Sequence, residues 1–167
     1  MSTPVALDAD AVRVLLEDVR DPEIPILTIA DLGVLRDVSV DDDGGVTVVI
    51  TPTYSGCPAM QTIADDIRAV LDRAQCTQVR IVTRLAPAWT TDWLSPAARA
   101  KLLEVGIAPP LEPTSDKRVL NGHAQAVACP RCRSHDTEPV SEFGSTACKA
   151  LYRCRSCLEP FDYFKCL

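Results

Sequence analysis

Apolar positions in the first hundred residues recur at two alternating periods, and the changes of period mark out the elements. Val12, Leu15, Leu16 and Val19 stand at i, i+3, i+4 and i+7, one face of a helix that must end before Asp21-Pro22, because proline steers its predecessor out of the helical region. A short strand over residues 35–40 then reaches the turn Asp41-Asp42-Asp43-Gly44-Gly45 and returns as the β-branched run Val46-Thr47-Val48-Val49-Ile50-Thr51, which predicts a hairpin. Met60, Ile63, Ile67, Val70 and Leu71 resume helical spacing, and Val79-Arg80-Ile81-Val82-Thr83 follows as a strand. Ser95-Pro96 opens a last helix, with Ser as N-cap and Pro at the first helical position, and Gly106 closes it. The order α-β-β-α-β-α predicts an α+β fold, a small mixed β-sheet covered by helices. Its β-α-β unit would make 46–51 and 79–83 parallel neighbours with a right-handed crossover.

The pattern then breaks. Ile107-Ala108-Pro109-Pro110-Leu111-Glu112-Pro113-Thr114-Ser115-Asp116 has no periodicity and three prolines, so residues 107–126 are expected to be an extended, Pro-rich linker between a domain at 1–106 and a small module at 127–167. In that module Cys148, Ala150, Tyr152 and Cys154 alternate onto one face of a strand, and Phe161, Tyr163 and Phe164 supply bulk.

Cys129-Pro130-Arg131-Cys132 and Cys154-Arg155-Ser156-Cys157 are two Cys-x-x-Cys knuckles separated by 21 residues. Each can turn its backbone around an ion and deliver two thiolates, so the four cysteines predict one closed tetrahedral site, with zinc the favoured metal and a zinc-ribbon-like β module around it. Iron in the same sulfur cage, passing electrons, is the alternative that a visible spectrum would separate. A module of about forty residues has too little core to stand without the metal. Cys148 and Cys166 are expected to pack in the core before they ligate, Cys76 to be a bystander, and His123 and His135 to be solvated. Trp89 and Trp93 either cover the sheet or mark a partner surface.

Eight cysteines, with no basic-then-apolar succession at the N-terminus, read as thiols and ligands in a reduced cytoplasmic compartment before they read as disulfides. No apolar run reaches membrane-spanning length. The formal net charge is −6, with sixteen acids against nine bases in 1–106 and five against six in 129–167, so neither part is the strongly basic surface that nucleic-acid binding needs. Glu-x-x-His pairs for a di-iron site, a dinucleotide-binding glycine loop and a Walker phosphate loop are all missing from the sequence.

Candidate chemistry outside the tail centres on Thr51-Pro52-Thr53-Tyr54-Ser55-Gly56-Cys57-Pro58. A cysteine just before a helix-opening proline meets unpaired N–H groups and a positive dipole end, which is expected to lower its pKa toward a reactive or metal-binding thiolate. The competing reading is a small buried hydrophobe. Asp21, Glu23 and Asp31, from Asp21-Pro22-Glu23-Ile24-Pro25 and Asp31-Leu32-Gly33, would lie beside Cys57 if their loop folds over the sheet edge; otherwise Asp21 and Asp31 cap local turns and Glu23 is solvated.

Taken together, these three motifs resemble the metal-sulfur cluster biosynthesis family, the SufT-like domain of iron-sulfur assembly factors, over about the first hundred residues. The string Phe143-Gly144-Ser145-Thr146-Ala147-Cys148-Lys149-Ala150-Leu151-Tyr152-Arg153-Cys154, with Glu159-Pro160-Phe161-Asp162-Tyr163-Phe164-Lys165-Cys166, resembles the PaaD branch found in phenylacetate degradation. The resemblance implies an accessory or maturation role for the multicomponent phenylacetyl-CoA ring-epoxidase, a monooxygenase, without catalysis of its own. It further implies help with iron-sulfur cluster assembly or insertion into the ferredoxin-type reductase component, with Cys57, Glu23 and Asp31 as candidate transient ligands of iron or a cluster. The alternative is a non-catalytic interaction subunit that docks on the oxygenase or the reductase through its zinc ribbon. A homodimer paired through an exposed sheet edge is a further expectation.

Overall fold

The computed structural model describes residues 7–112 and 125–165. Residues 113–124 of the expected linker, with His123, and the cysteine at 166 lie outside the described residues. The chain divides into two compact units, 1–98 and 99–167.

The first unit begins with α1 (Ala9–Leu16), capped by Asp8, whose carboxylate accepts the Ala11 N–H at 2.8 Å. Val12 and Leu16 point inward; Val19, expected on the same helical face, lies beyond the helix end yet is buried. Strands β1 (Leu35–Val40) and β2 (Val46–Ile50) form the antiparallel hairpin, and β3 (Val79–Thr83) adds parallel to β2, giving the order β1-β2-β3. The expected parallel pair is thus present, in the register Val48↔Ile81. The hairpin turn is held by Asp41, whose carboxylate accepts the Gly45 N–H, while Gly44 takes φ +80°. In sequence between the parallel strands runs α2 (Ala59–Arg73), which buries Ala59, Ile63, Ile67 and Leu71, every fourth residue and hence one face, and meets α1 and β3; the central strand β2 is buried along nearly its whole length.

A 3-10 turn (Thr91–Trp93) precedes α3 (Pro96–Glu104). Ser95 caps α3 as its sequence position predicts: its Oγ accepts the Ala98 N–H at 2.9 Å. Gly106, at φ +78°, ends the helical path.

The second unit is a four-stranded sheet in the order β4-β7-β6-β5, made of β4 (Ile107–Ala108), β5 (Thr137–Ser141), β6 (Lys149–Cys154) and β7 (Pro160–Phe164). Its core gathers Ala108, Val127, Cys129, Ala150, Cys154, Phe161 and Tyr163, with Leu111 and Tyr152 packed against them. Tyr152 meets Phe161 and Tyr163 at centroid separations of 5.9 and 5.4 Å. The expected linker does not start as unpaired chain: Ile107 and Ala108 pair in parallel with Asp162 and Tyr163 of β7, because the ribbon sheet would otherwise leave that edge and its apolar face uncovered. The compact units also separate at 98/99 rather than at the expected 106.

Among the described residues no helix is long and apolar enough to cross a membrane.

Candidate functional site

The chain leaves β2 through buried Thr51, whose N–H reaches the Val34 carbonyl at 2.9 Å, and turns at Gly56, where φ is +84°. The Cys57 N–H donates to the Tyr54 carbonyl at 3.2 Å, and the Cys57 carbonyl accepts the Met60 N–H at 3.3 Å. Pro58 occupies the cap of α2 in helical dihedrals and Ala59 is the first helical residue, so Cys57 stands just outside the helix, one step further out than a proline at the first helical position implies.

Cys57 is half-buried, and its thiol is pushed up from the ordinary value near 9. Burial is the largest cause. The Ala59 N–H on the sulfur opposes it, Glu23 and then Asp21 push the thiol further up, and a hydrogen bond with Tyr54 pulls it down. The helix-start argument therefore identifies the right local donor and the wrong net direction: desolvation and two carboxylates outweigh the amide.

Those carboxylates arrive from the turn after α1. Asp21 is buried, and its Oδ1 accepts the Glu23 and Ile24 N–H groups, each at 2.8 Å, which shapes the turn that brings Glu23 toward the thiol. Asp31 is placed differently. Its Oδ2 accepts the Thr28 N–H at 3.1 Å and its Oδ1 the Ser95 hydroxyl at 3.2 Å, tying the loop to the start of α3. Leu32 and Gly33 continue this framework: the Trp89 indole donates to the Leu32 carbonyl at 2.8 Å, and Trp93 lies so near Gly33 that a Cβ there would come within 2.7 Å of it. Trp89 is buried and Trp93 is stacked under the Arg36 guanidinium, 3.5 Å from its centroid. Sequence reasoning assigned Tyr54 no role; its signal was the three-residue step to Cys57 across Ser55-Gly56, the length of a tight turn.

In the second unit the sulfurs of Cys129, Cys132, Cys154 and Cys157 lie within 4.8 Å of one another, the only convergence of three or more Cys, His, Asp or Glu ligand atoms among the described residues. Cys57, Glu23 and Asp31 make no such set. Across the knuckles, Cys129 and Cys157 are 3.7 Å apart and Cys132 and Cys154 are 3.5 Å apart. A tetrahedron with metal–sulfur bonds of about 2.3 Å has edges of about 3.8 Å, so the cage fits a tetrathiolate ion. Arg133 and Leu158, directly after each second cysteine, adopt φ +65° and +64°, the matched turns that aim both knuckles at one point. The Cys157 N–H heads the groups that hold the Cys154 thiol down, at about 7. Cys157 is pushed up to about 12 despite the Glu159 N–H on its sulfur, because local desolvation of the sulfur within the cage and the neighbouring thiols oppose a second negative charge. A dication would remove that conflict by replacing the protons. Cys129 and Cys154 are buried, whereas Cys132 and Cys157 are exposed.

The remaining candidates are peripheral. Cys76 is buried just past the end of α2, Cys148 is buried beside the Thr146 hydroxyl at 3.1 Å, and His135 is exposed. Lys149 is the unexpected feature of the ribbon. It is buried, paired with Asp162 at 3.7 Å, in a sequence position that alternation alone would assign to solvent.

Residues 9–82 match the iron-sulfur cluster assembly protein family, and residues 113–165 match the PaaD zinc beta ribbon domain. An Escherichia coli K12 protein, provisionally named as one of the subunits of 1,2-phenylacetyl-CoA epoxidase, is 52% identical over 92% of this chain and 90% of its own length. An Fe-S protein maturation auxiliary factor of Staphylococcus aureus is 41% identical over 49% of this chain and 93% of its own. Among solved structures, the domain of unknown function DUF59 from Bacillus anthracis superposes with TM-score 0.53 at 27% identity, over 56% of this chain and 90% of that one. A conserved hypothetical protein of Thermotoga maritima gives 0.51 at 29%, over 61% and 98%. An iron-sulfur assembly domain joined to a four-cysteine ribbon, and likeness to the Escherichia coli protein along nearly the whole chain, place this chain in the PaaD family.

Proposed function

We propose that the chain is an accessory maturation protein of the phenylacetyl-CoA epoxidase, which helps assemble an iron-sulfur cluster or insert it into the ferredoxin-type reductase component. The observation that carries this reading is the placement of the Cys57 thiol, half-buried at the start of α2 with Glu23 and Asp21 in electrostatic reach. A thiol surrounded by anionic charge keeps its proton when empty, and a cationic iron centre reverses that preference by displacing the proton to solvent. One soft thiolate with a hard carboxylate at its side holds iron loosely, which suits cargo that must be handed on. Asp31 serves in this reading as the clamp between the loop and α3, while Glu23 is the carboxylate poised to share the ligand sphere. The four-cysteine site is the contrasting case, a closed cage in which zinc serves folding and no transfer occurs. Reduced thiols at both sites suit a cytoplasmic protein.

A second reading, an interaction subunit that docks on the oxygenase or reductase through the ribbon, is favoured by the exposure of Val140 and Phe143 on that unit.

The test compares wild type and Cys57→Ser, both purified without oxygen, for metal, acid-labile sulfide and visible absorbance, and for cluster transfer to the apo reductase. The maturation reading expects one zinc per chain in both proteins, with iron or transfer competence in wild type alone. Equal transfer by the two proteins would sink it and leave the docking reading.

A further inference from the structure

The loop between β5 and β6 is fixed by more polar contacts than its length requires, and it holds one large apolar side chain out to solvent. The Ser141 hydroxyl donates to the Phe143 carbonyl at 2.8 Å, the Gly144 N–H to the Lys149 carbonyl at 2.7 Å, and the Ser145 hydroxyl to Asp162 at 3.1 Å. Lys149, only 5% exposed, meets the same Asp162 carboxylate, and a Cβ on Gly144 would come within 2.7 Å of it. An ion pair with its cation buried and its carboxylate partly so adds little to stability against an apolar replacement, and the best-attested use of such pairs is to impose one arrangement. What that arrangement presents is Phe143, 62% exposed, with Val140 at 57% nearby in sequence. The Lys165 ammonium stands over the Phe143 ring, 4.5 Å from its centroid, and donates to the Glu142 carbonyl at 3.0 Å, which further fixes the ring.

Beside this ring lies a groove of about 440 Å³ whose lining includes Pro139, Val140, Glu142, Tyr152, Tyr163 and Lys165. It has the size and aromatic lining of a pocket for one or two bulky side chains, and of its two charged residues Lys165 bonds the Glu142 backbone carbonyl. Among the described residues Lys165 meets no carboxylate. A rigid aromatic projection next to a preformed groove is the anatomy of an interface anchor, because little conformational freedom is left to lose on binding.

We propose that Phe143 and the adjoining groove form the docking surface for a partner protein that lays a bulky apolar side chain over the cross-strand pair Tyr152 and Pro139 and sets a carboxylate against Lys165. The proposal rests on the reading of the chain as a servant of the epoxidase, and it assigns the ribbon the task of holding the client while Cys57 acts.

The test measures binding of the full zinc-loaded chain to purified reductase and to purified oxygenase, one at a time and over a range of salt concentrations. Phe143→Ser, Lys165→Met and Cys57→Ser are run beside wild type. Phe143→Ser is expected to weaken binding about thirtyfold with zinc content unchanged and melting temperature shifted by no more than the loss of one exposed ring–Lys165 contact brings. Lys165→Met should weaken it less and flatten the salt dependence, and Cys57→Ser should bind as wild type does. Binding of Phe143→Ser within about twofold of wild type would overturn the docking surface and leave the maturation reading intact. Cys57-dependent cluster transfer without measurable binding of wild type to either component would overturn it equally. Loss of a wild-type dimer on Phe143→Ser would reassign the surface to a second copy of the chain and overturn it as well.

Discussion

Cys57 receives opposing influences from groups close in sequence and groups far from it. Ala59 and Tyr54 stabilise a thiolate; burial, Glu23 and Asp21 stabilise the thiol, and the second set prevails. Glu23→Gln removes one of the carboxylates, so the Cys57 pKa is expected to fall. Alkylation rate against pH checks this: the wild-type midpoint should lie above the ordinary thiol value near 9, and the variant midpoint should move down from it. No movement would mean that Glu23 does not face the sulfur. The stability linkage has the matching sign. A thiol whose folded pKa is raised contributes stability that is complete below the unfolded pKa and is lost as pH rises through the folded one. At this scale the sequence showed where the thiol would be, since a cysteine before a helix-opening proline fixes its place. It did not show the charge around it, because burial and the Glu23 turn depend on a chain segment more than thirty residues away.

The elements of the first unit were the most legible part of the fold, since each carries its own period: α2 buries every fourth residue, and β2 is a β-branched run read as a hairpin strand with a parallel neighbour. The loop Asp31-Leu32-Gly33 was legible as a motif but not as a device. Its function is to seat the 3-10 turn, with Asp31 bound to Ser95, Leu32 to Trp89 and Gly33 in contact with Trp93. Gly33 has φ +68°, and an alanine Cβ there would lie 2.6 Å from the Trp93 carbonyl oxygen. Gly33→Ala is therefore expected to destabilise the first unit by about 2–4 kcal/mol, through the left-handed backbone and the overlap together. Chemical denaturation followed by tryptophan fluorescence would register it, and a change below about 0.5 kcal/mol would show that the turn moves aside freely. Strand β4 was not legible, because two residues before a proline pair cannot display alternation.

For the molecule as a whole, the two units draw their stability from different sources. The first has a large apolar core; the second has few core residues and a cage of four thiols. A strong chelator is expected to abolish the β signal and the slow hydrogen exchange of residues 125–165, while the amides of α2 and β2 keep their protection, and zinc should restore the ribbon. Exchange monitored residue by residue decides it; simultaneous loss of both units, or of neither, would refute separate stabilisation. Acid should act as the chelator does, since protons compete for the same sulfurs. Strand β4 adds one more consequence. The ribbon's first strand is encoded ahead of the proline-rich segment, beside the end of α3, so the part of the gene that specifies the ribbon begins earlier than its cysteines suggest. A recombination joint placed in that segment would hand a new host a ribbon with an open β7 edge, whereas a joint upstream of Ile107 would carry the sheet across whole.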